Sequence, residues 1–571
     1  MRRPKQKTYC ADFETTSYEQ YVAEGQTRVY LWKLMGVDND VDIMGISMES
    51  FISQLSQLDG GVIYFHNLSF DGEFIIWHLL ENEYEYNEED KPKTFNTIID
   101  ETGSIYQIKL CIDAKVIWEI RCSYKLFPKS IKDIGKMVGI PKLNETHNYN
   151  EFKNYASLED VTEEEKSYIT NDVRIMVELI RYLNAINIKG LTMSSSAYKN
   201  WLQDKYQLAK NKMKKDTNEE IVEIVRKSYR GGITKVNPNY AGIEFNDVIS
   251  FDVNSLYPSV MYENPMPVGE GKIYSSVEEG RKDNRHLFII VAFVQYGKVR
   301  TGKHAFIGNN SGFTYSRKYS YDDVLENKML YLWLDEFDLF KLVYDAQYTI
   351  LKVVGWKKAN YVFKDYIDRW YDVKKNASNE TEKSLAKLML NSLYGKFGMN
   401  DNRITKLPVA IGDTIIYKTI ENNTTYYYKE VASYITSKAR CKLASFMNKC
   451  GDNFLYCDTD SVYYIGHEIP EVFKNVVDAK KLGYWKYEGH YTRFKALKAK
   501  CYIKQLDDGT IERRIAGCPK ECAELINFDN FAPELKLANA KKCKKKVKGG
   551  IVISTTDFTI KIWQWKILKE N

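Results

Sequence analysis

Residues 453–466 read NFLYCDTDSVYYIG, two β-prone runs flanking the acidic DTDS. The pattern predicts a hairpin with carboxylates at its tip. Asp458 and Asp460 are two residues apart. If strand geometry persists through them, they project from one face, where two like charges are tolerable only with a cation between or beside them. This is a metal site in outline, and the fold must bring it further ligands from elsewhere in the chain.

A second acid lies in ISFDVNSLYPSVMY, where Asp252 ends a short apolar strand before the chain turns through Asn254 and Ser255 into an apolar helix start. Two-metal phosphoryl transfer draws carboxylates from separate strands, and Asp252 with Asp460 supplies such a clamp. Alone, Asp252 would read as an N-cap. The third element, EKSLAKLMLNSLYGKFG, is helical and expected to end at Gly395 and Gly398. Lys387, Asn391 and Tyr394 fall at i, i+4 and i+7, which lines up a cation, an amide and a ring on one face. That stripe suits an incoming nucleotide, with Lys387 on triphosphate oxygens and Tyr394 against the base or sugar. Lys374 and Lys383 would add to the phosphate-binding field, and Lys500 and Tyr502 in KAKCYIK would meet a primer terminus.

The N-terminal region carries its own acids. Asp12 and Glu14 stand at i and i+2 on a probable strand, again on one face and again unfavourable without metal. GVIYFHNLSFDGEFI ends an apolar strand at His66 and Asn67 and places Asp71 where a helix begins, while Tyr168 and Asp172 share a helix face at i and i+4. His66 reads as a hydrogen-bonded structural histidine, since hard oxygen ligands already suffice.

At 571 residues the chain exceeds what one hydrophobic core supports, so these two acid sets are expected in separate domains. Residues 1–190 alternate short apolar runs with helical stretches, as an α/β domain does, and 191–571 read as mixed α and β. Ten cysteines without paired spacing, Cys518 and Cys522 among them, are packing residues rather than a zinc site. The N-terminus MRRPKQKTYCADF lacks the apolar region of a signal peptide, and no stretch approaches the roughly 18 apolar residues that span a bilayer. The net charge of +6 is mild, but residues 535–548 hold seven Lys and no acid, suiting either duplex phosphates or a solvated face.

DVNSLYP, KLMLNSLYGK, YCDTDS and KCY, in this order, resemble the Dx2SLYP, Kx3NSxYG, YxDTDS and KxY motifs of family B DNA polymerases. With SYRGG before them and TSKAR between, the chain resembles the protein-primed subgroup of small linear-genome bacteriophages. The resemblance implies an RNase H-like 3′-5′ exonuclease domain (1–190) followed by a right-hand polymerase domain. The latter would comprise a palm with a priming-protein insertion at about 300–360, fingers at about 362–397, a second insertion at about 398–430 and a thumb at about 530–571. It implies that Asp252, Asp460 and the Val253 carbonyl ligate Mg²⁺ or Mn²⁺ with Asp458 nearby, and that Tyr257 is the steric gate against a ribose 2′-OH. Tyr229, Gly231, Gly232, Ser255, Thr436, Arg440, Lys500 and Tyr502 would contact DNA. Asp12, Glu14, Asp71 and Asp172 would be the metal-binding carboxylates of a DEDD-type exonuclease with Tyr168 orienting water, and Asn67, Phe70 and Ser123 would hold single-stranded DNA. The family has a Ser/Thr-Leu pair where this chain has Ser123 and Tyr124, and Lys142 stands for the family's lysine.

Implied with these are dNTPs, primer-template DNA and a terminal protein as partners. The enzyme would be a monomer in the cytoplasm of an infected bacterial host, processive and strand-displacing, the second insertion forming a polar-tipped hairpin within TIIYKTIENNTTYYYKEV. A reverse transcriptase leaves the N-terminal acids and Kx3NSxYG unexplained. A stand-alone exonuclease leaves the palm motifs idle, and a non-catalytic DNA-binding protein leaves both.

Overall fold

The computed structural model describes residues 7–17, 27–114, 116–144, 152–308, 323–400, 402–412, 414–423 and 427–561. The N-terminal hexapeptide MRRPKQ, residues 309–322 of the first expected insertion and 562–571 of the expected thumb lie outside them.

The N-terminal domain is built on an eight-stranded sheet. Its order is Asp42–Gly45, Arg28–Gly36, Thr8–Thr16, Gly61–Phe65, Ile117–Cys122, Ile105–Cys111, Thr94–Ile99, Glu85–Tyr86. Gly61–Phe65 pairs in parallel with both neighbours and all five of its residues are buried, which is why GVIYF is an unbroken apolar run. The helix Glu163–Ala185 begins in a capping box between Thr162 and Glu165, with three Glu in its first turn. Its apolar face joins a core continuous with that of the C-terminal region, so the two parts do not bury wholly separate cores.

A five-stranded antiparallel sheet carries the DTDS hairpin, in the order Trp485–Tyr491, Val248–Val253, Ser461–Ile465, Phe454–Asp458, Thr234–Val236. Behind it runs the buried helix Lys429–Lys449, and beside it stands the helical pair Lys364–Asn376 and Glu380–Phe397. The latter helix runs through Gly395 and stops only at Gly398. Gly395 therefore does not end the helix.

The aromatic-rich stretch belongs to a four-stranded sheet of Met266–Tyr274, Tyr344–Ala359, Leu287–Val299 and Val324–Trp333. Within the stretch expected as the second insertion, Thr414–Asn423 is one strand that pairs back onto Asn402–Ile411. The reversal between these strands passes through Gly412, which takes φ +55°, because glycine tolerates the left-handed backbone a tight turn needs. The basic segment forms the strand Lys536–Val547 of a hairpin with Gly550–Thr559. All ten cysteines are free, and no helix among the described residues is long and apolar enough to cross a membrane.

Candidate active sites

Asp252 sits near the end of the strand Val248–Val253, opposite Ser461, and Val253 N–H donates to the Asp460 carbonyl at 2.8 Å. Asp458 closes one strand of the hairpin, whereas Asp460 lies in the turn after Thr459, which takes φ +60°. The two acids therefore do not share a face by strand alternation. The tight turn draws them together: Asp460 N–H reaches the Asp458 carbonyl at 2.6 Å. Burial pushes Asp252 up to about 8, with Asp460 and Glu488 adding to the shift and Lys486 and Lys374 opposing it. Burial and Asp458 push Asp460 up to about 6. Asp458 is more firmly held, accepting from Thr234 Oγ1 at 2.8 Å, Thr459 Oγ1 at 3.0 Å and Lys500 Nζ at 3.2 Å.

Facing these acids, the Tyr257 and Tyr394 rings stack at 4.2 Å. Lys387 and Asn391 are exposed on the same helix as Tyr394, so the i, i+4, i+7 stripe is present and open. Lys374 donates to Ser255 Oγ at 3.1 Å, and burial followed by Lys387 and Lys383 lowers its pKa. Lys383 meanwhile pairs with Glu380 at 3.0 Å.

The SYRGG loop abuts the hairpin tip. Gly231 is exposed, Thr459 N–H donates to the Ile233 carbonyl at 2.7 Å, and a Cβ on Gly232 would lie 3.0 Å from Thr459 Cγ2. Gly232→Ala is thus expected to displace the DTDS turn and slow nucleotide incorporation about ten- to hundredfold with little change in thermal stability. Parallel incorporation and melting measurements check this, and unchanged incorporation would show that the turn yields freely. Tyr229 packs on Gly398, whose added Cβ would meet the Tyr229 hydroxyl at 2.2 Å, and burial pushes its pKa up to about 12.

Four residues expected to touch DNA are placed in the interior. Arg440 is 3% exposed: its guanidinium binds Glu336 through Nε at 2.8 Å and Nη2 at 2.9 Å, and Nη1 donates to the Arg230 carbonyl at 2.6 Å. Thr436 donates to the Ser433 carbonyl inside the same helix. Tyr502 shares a hydrogen bond with Tyr463 at 3.1 Å within an aromatic cluster, leaving Lys500 as the accessible member of that pair. Ser123 is fully buried, bonded to His66 Nδ1 at 3.0 Å and to the Phe65 carbonyl at 3.1 Å. All four side chains are buried; a matching motif fixes position in the chain but not burial.

The N-terminal acids converge from three elements. Asp12 and Glu14 come from Thr8–Thr16, Asp71 is the first residue of the helix Asp71–Glu81, and Asp172 lies one turn after Tyr168. Burial, then Asp71, Asp172 and Glu14, raise Asp12 well above the carboxylate range, and burial pushes Asp71 up to about 7. Lys142 belongs here: its ammonium lies 2.5 Å from Asp172 Oδ2 and 4.7 Å from the centre of the Tyr168 ring. Asn67 is exposed at φ +64° and Phe70 half-exposed. His66 is held by Ser123 and the Lys129 carbonyl, burial pushing it down to about 4, as a neutral structural histidine requires. Tyr124, 42% exposed with its ring edge-on to His66, takes the surface position beside buried Ser123. Lys544, in the basic run KKCKKK, has its ammonium 5.2 Å from the Phe70 ring centre.

Among the described residues, no three His, Cys, Asp or Glu side chains already converge closely enough to hold a metal ion. Mg²⁺ characteristically takes one or two carboxylates and completes its shell with water and substrate phosphates. The palm set of Asp252, Asp460 and the Val253 carbonyl fits that habit, as do the hard oxygens of Asp12, Glu14, Asp71 and Asp172, whose mutual repulsion a cation would relieve.

The family "DNA polymerase type B, organellar and viral" matches residues 139–479. The DNA polymerase of Bacillus phage M2 is 31% identical, covering 97% of this chain and 100% of its own length. That of Streptococcus phage Cp-1 is 30% identical over 97% of this chain and 98% of its own. In structure, Phi29 DNA polymerase complexed with primer-template DNA and incoming nucleotide superposes with a TM-score of 0.88 at 29% identity, covering 98% of this chain and 100% of that one. The chain belongs to the type B DNA polymerases of organelles and viruses and is a DNA polymerase of the phi29 type.

Proposed function

We propose that this polymerase edits its own product in the 3′-to-5′ direction, starts from a hydroxyl on a terminal protein, and displaces the downstream strand as it replicates a linear phage genome in the bacterial cytoplasm. The observation that carries the editing reading is the second carboxylate set, Asp12, Glu14, Asp71 and Asp172, assembled in its own sheet domain with Tyr168 and Lys142 beside it. For strand displacement, the support is the hairpin Asn402–Asn423, whose Ile415 is buried in the N-terminal core. For protein priming, it is the sheet at 266–359 with its helix Leu334–Val343, inserted between the two palm motifs.

Asp252, Asp460 and the Val253 carbonyl would hold Mg²⁺ or Mn²⁺ in the palm, and the four N-terminal acids would do so in the editing site. Such cations, when bound, stabilise the charge that develops in phosphoryl transfer. Around them Lys374, Lys383 and Lys387 neutralise the triphosphate, and Asn391 and Tyr394 fix the nucleotide. Lys500 bears on the primer strand, and Tyr168 orients water for hydrolysis. Tyr257, braced by Tyr394, fills the space of a 2′-hydroxyl. Tyr257→Val is expected to lower discrimination against ribonucleotides about ten- to hundredfold, read as the ratio of incorporation efficiencies for dNTP and rNTP.

A primer annealed to a template, supplied with Mg²⁺, tests the whole. With dNTPs, wild type and Asp12→Ala should both extend it. Without dNTPs, wild type should shorten it and Asp12→Ala should not. Shortening by both proteins alike would remove the N-terminal acids from the editing role.

A further inference from the structure

The helix Glu380–Phe397, on which Lys383 and Lys387 stand, meets a short helix of the N-terminal domain end to end. That short helix, Ile131–Val138, is capped at its start by Ser130 and closed by Gly139 in the left-handed conformation, where Ile140 N–H donates to the Gly135 carbonyl at 2.9 Å. The last carbonyls of a helix lack partners within it. Here the Met137 carbonyl is taken from far along the chain: Thr381 Oγ1 donates to it at 2.9 Å. Thr381 is 6% exposed and lies in the first turn of its helix, the turn that also bears Lys383 and precedes Lys387. The positive pole of the longer helix thereby meets the negative pole of the shorter one.

From that contact a stiff path leads to the N-terminal carboxylates. A Cβ on Gly135 would lie 2.4 Å from the Ile140 carbonyl and 3.0 Å from Ile175 Cδ1, so the short helix packs without slack on Glu163–Ala185, one turn from Asp172. The segment leaving it is stitched to the same long helix on both sides of Lys142. Asn171 Nδ2 donates to the Pro141 carbonyl at 3.3 Å, and Leu143 N–H donates to Asn171 Oδ1 at 3.2 Å. Lys142 is thus held with its ammonium 2.5 Å from Asp172 Oδ2 and 4.7 Å from the Tyr168 ring centre. We propose that Thr381 is a positioning residue of the editing site: from the helix that bears Lys383 and Lys387 it fixes, through Met137, the place of Lys142 beside Asp172. The inference rests on the editing reading above. It links the two sites mechanically, so that a triphosphate drawing on Lys383 and Lys387 moves the helix start that braces the editing lysine.

The full-length protein with Thr381→Val, Thr381→Ser, Asn171→Ala or the Thr381→Val and Asn171→Ala pair, given a single-stranded oligonucleotide and Mg²⁺, provides the test. Thr381→Val keeps the shape of the side chain and removes the donor. Its kcat for degradation should fall about fivefold, the size of one neutral hydrogen bond, with KM for the strand unchanged. Thr381→Ser should restore kcat. Asn171→Ala cuts the same path further on, so it should lower kcat too, and the pair should lose no more than Asn171→Ala alone. Wild-type kcat in Thr381→Val overturns the inference and leaves the editing reading standing. So does a loss that lies in KM, that Thr381→Ser fails to recover, or that multiplies with the loss from Asn171→Ala, since each would mean that Thr381 does not act through Lys142. If wild type itself does not degrade the strand, the editing reading falls and takes this inference with it.

Discussion

An Asp252→Ala polymerase is expected to extend a primed template about 10³- to 10⁴-fold more slowly than wild type, while shortening single strands at the wild-type rate. The size follows from the several kcal/mol of transition-state charge stabilisation that a misplaced cation forfeits. Asp252 and Asp460 are the carboxylates whose burial and mutual repulsion mark the palm, and neither has a hydrogen-bonded set like that holding Asp458. Removing Asp252 relieves repulsion and breaks no ion pair, so the fold should survive the change. Retained single-strand degradation in the same preparation is the control for folding. Extension within tenfold of wild type would mean that Asp252 does not serve the chemistry, and loss of both activities would point to misfolding instead.

What the sequence disclosed and what it withheld divide along a physical line. Asp71 begins its helix and Asp252 lies near the end of its strand, as their places beside apolar runs suggest, while Asp12 and Asp172 lie within a strand and a helix whose local period fixes the face that carries them. The Lys387, Asn391 and Tyr394 stripe was legible for the same reason, since three residues on one helix keep their spacing whatever packs around them. Alternation failed at Asp458 and Asp460 because the strand ends between them, and Thr459 had to enter the left-handed region to make the turn. Burial was equally out of reach. Arg440 reads as a DNA contact until the helix Leu334–Val343, about a hundred residues away in sequence, delivers Glu336 to its guanidinium. Lys544 reads as a solvated lysine until tertiary packing sets its strand against the helix of Phe70 and Asp71. Long-range packing decides both, and neither propensity nor spacing encodes it locally.

The largest expected effect on stability also comes from Glu336. The residue is fully buried and receives Arg230 Nη2 at 2.7 Å, Arg440 through two nitrogens, and Ser437 Oγ at 2.8 Å. Arg230 belongs to the SYRGG loop, Arg440 to the helix behind the palm sheet, and Glu336 to the inserted sheet's helix, so one carboxylate ties three elements together. Burial alone would raise its pKa, but Arg230 and Arg440 outweigh it and hold the carboxyl at about 2. Glu336→Gln keeps the shape and removes the charge, leaving two guanidinium groups buried without their counter-ion. Breaking a buried ion pair from one side costs about 3–5 kcal/mol, so the denaturant midpoint should fall accordingly. The pH dependence has a definite sign. A carboxyl whose folded pKa is depressed contributes its full stability above the unfolded value of about 4.5 and loses it as pH falls through about 2. The stability gap between wild type and Glu336→Gln should therefore be constant near neutrality and close as the pH drops from about 4.5 toward 2. A gap that widened with acid, or a variant as stable as wild type at pH 7, would mean that the two arginines find other partners and that the carboxylate is not what secures the loop against the DTDS turn.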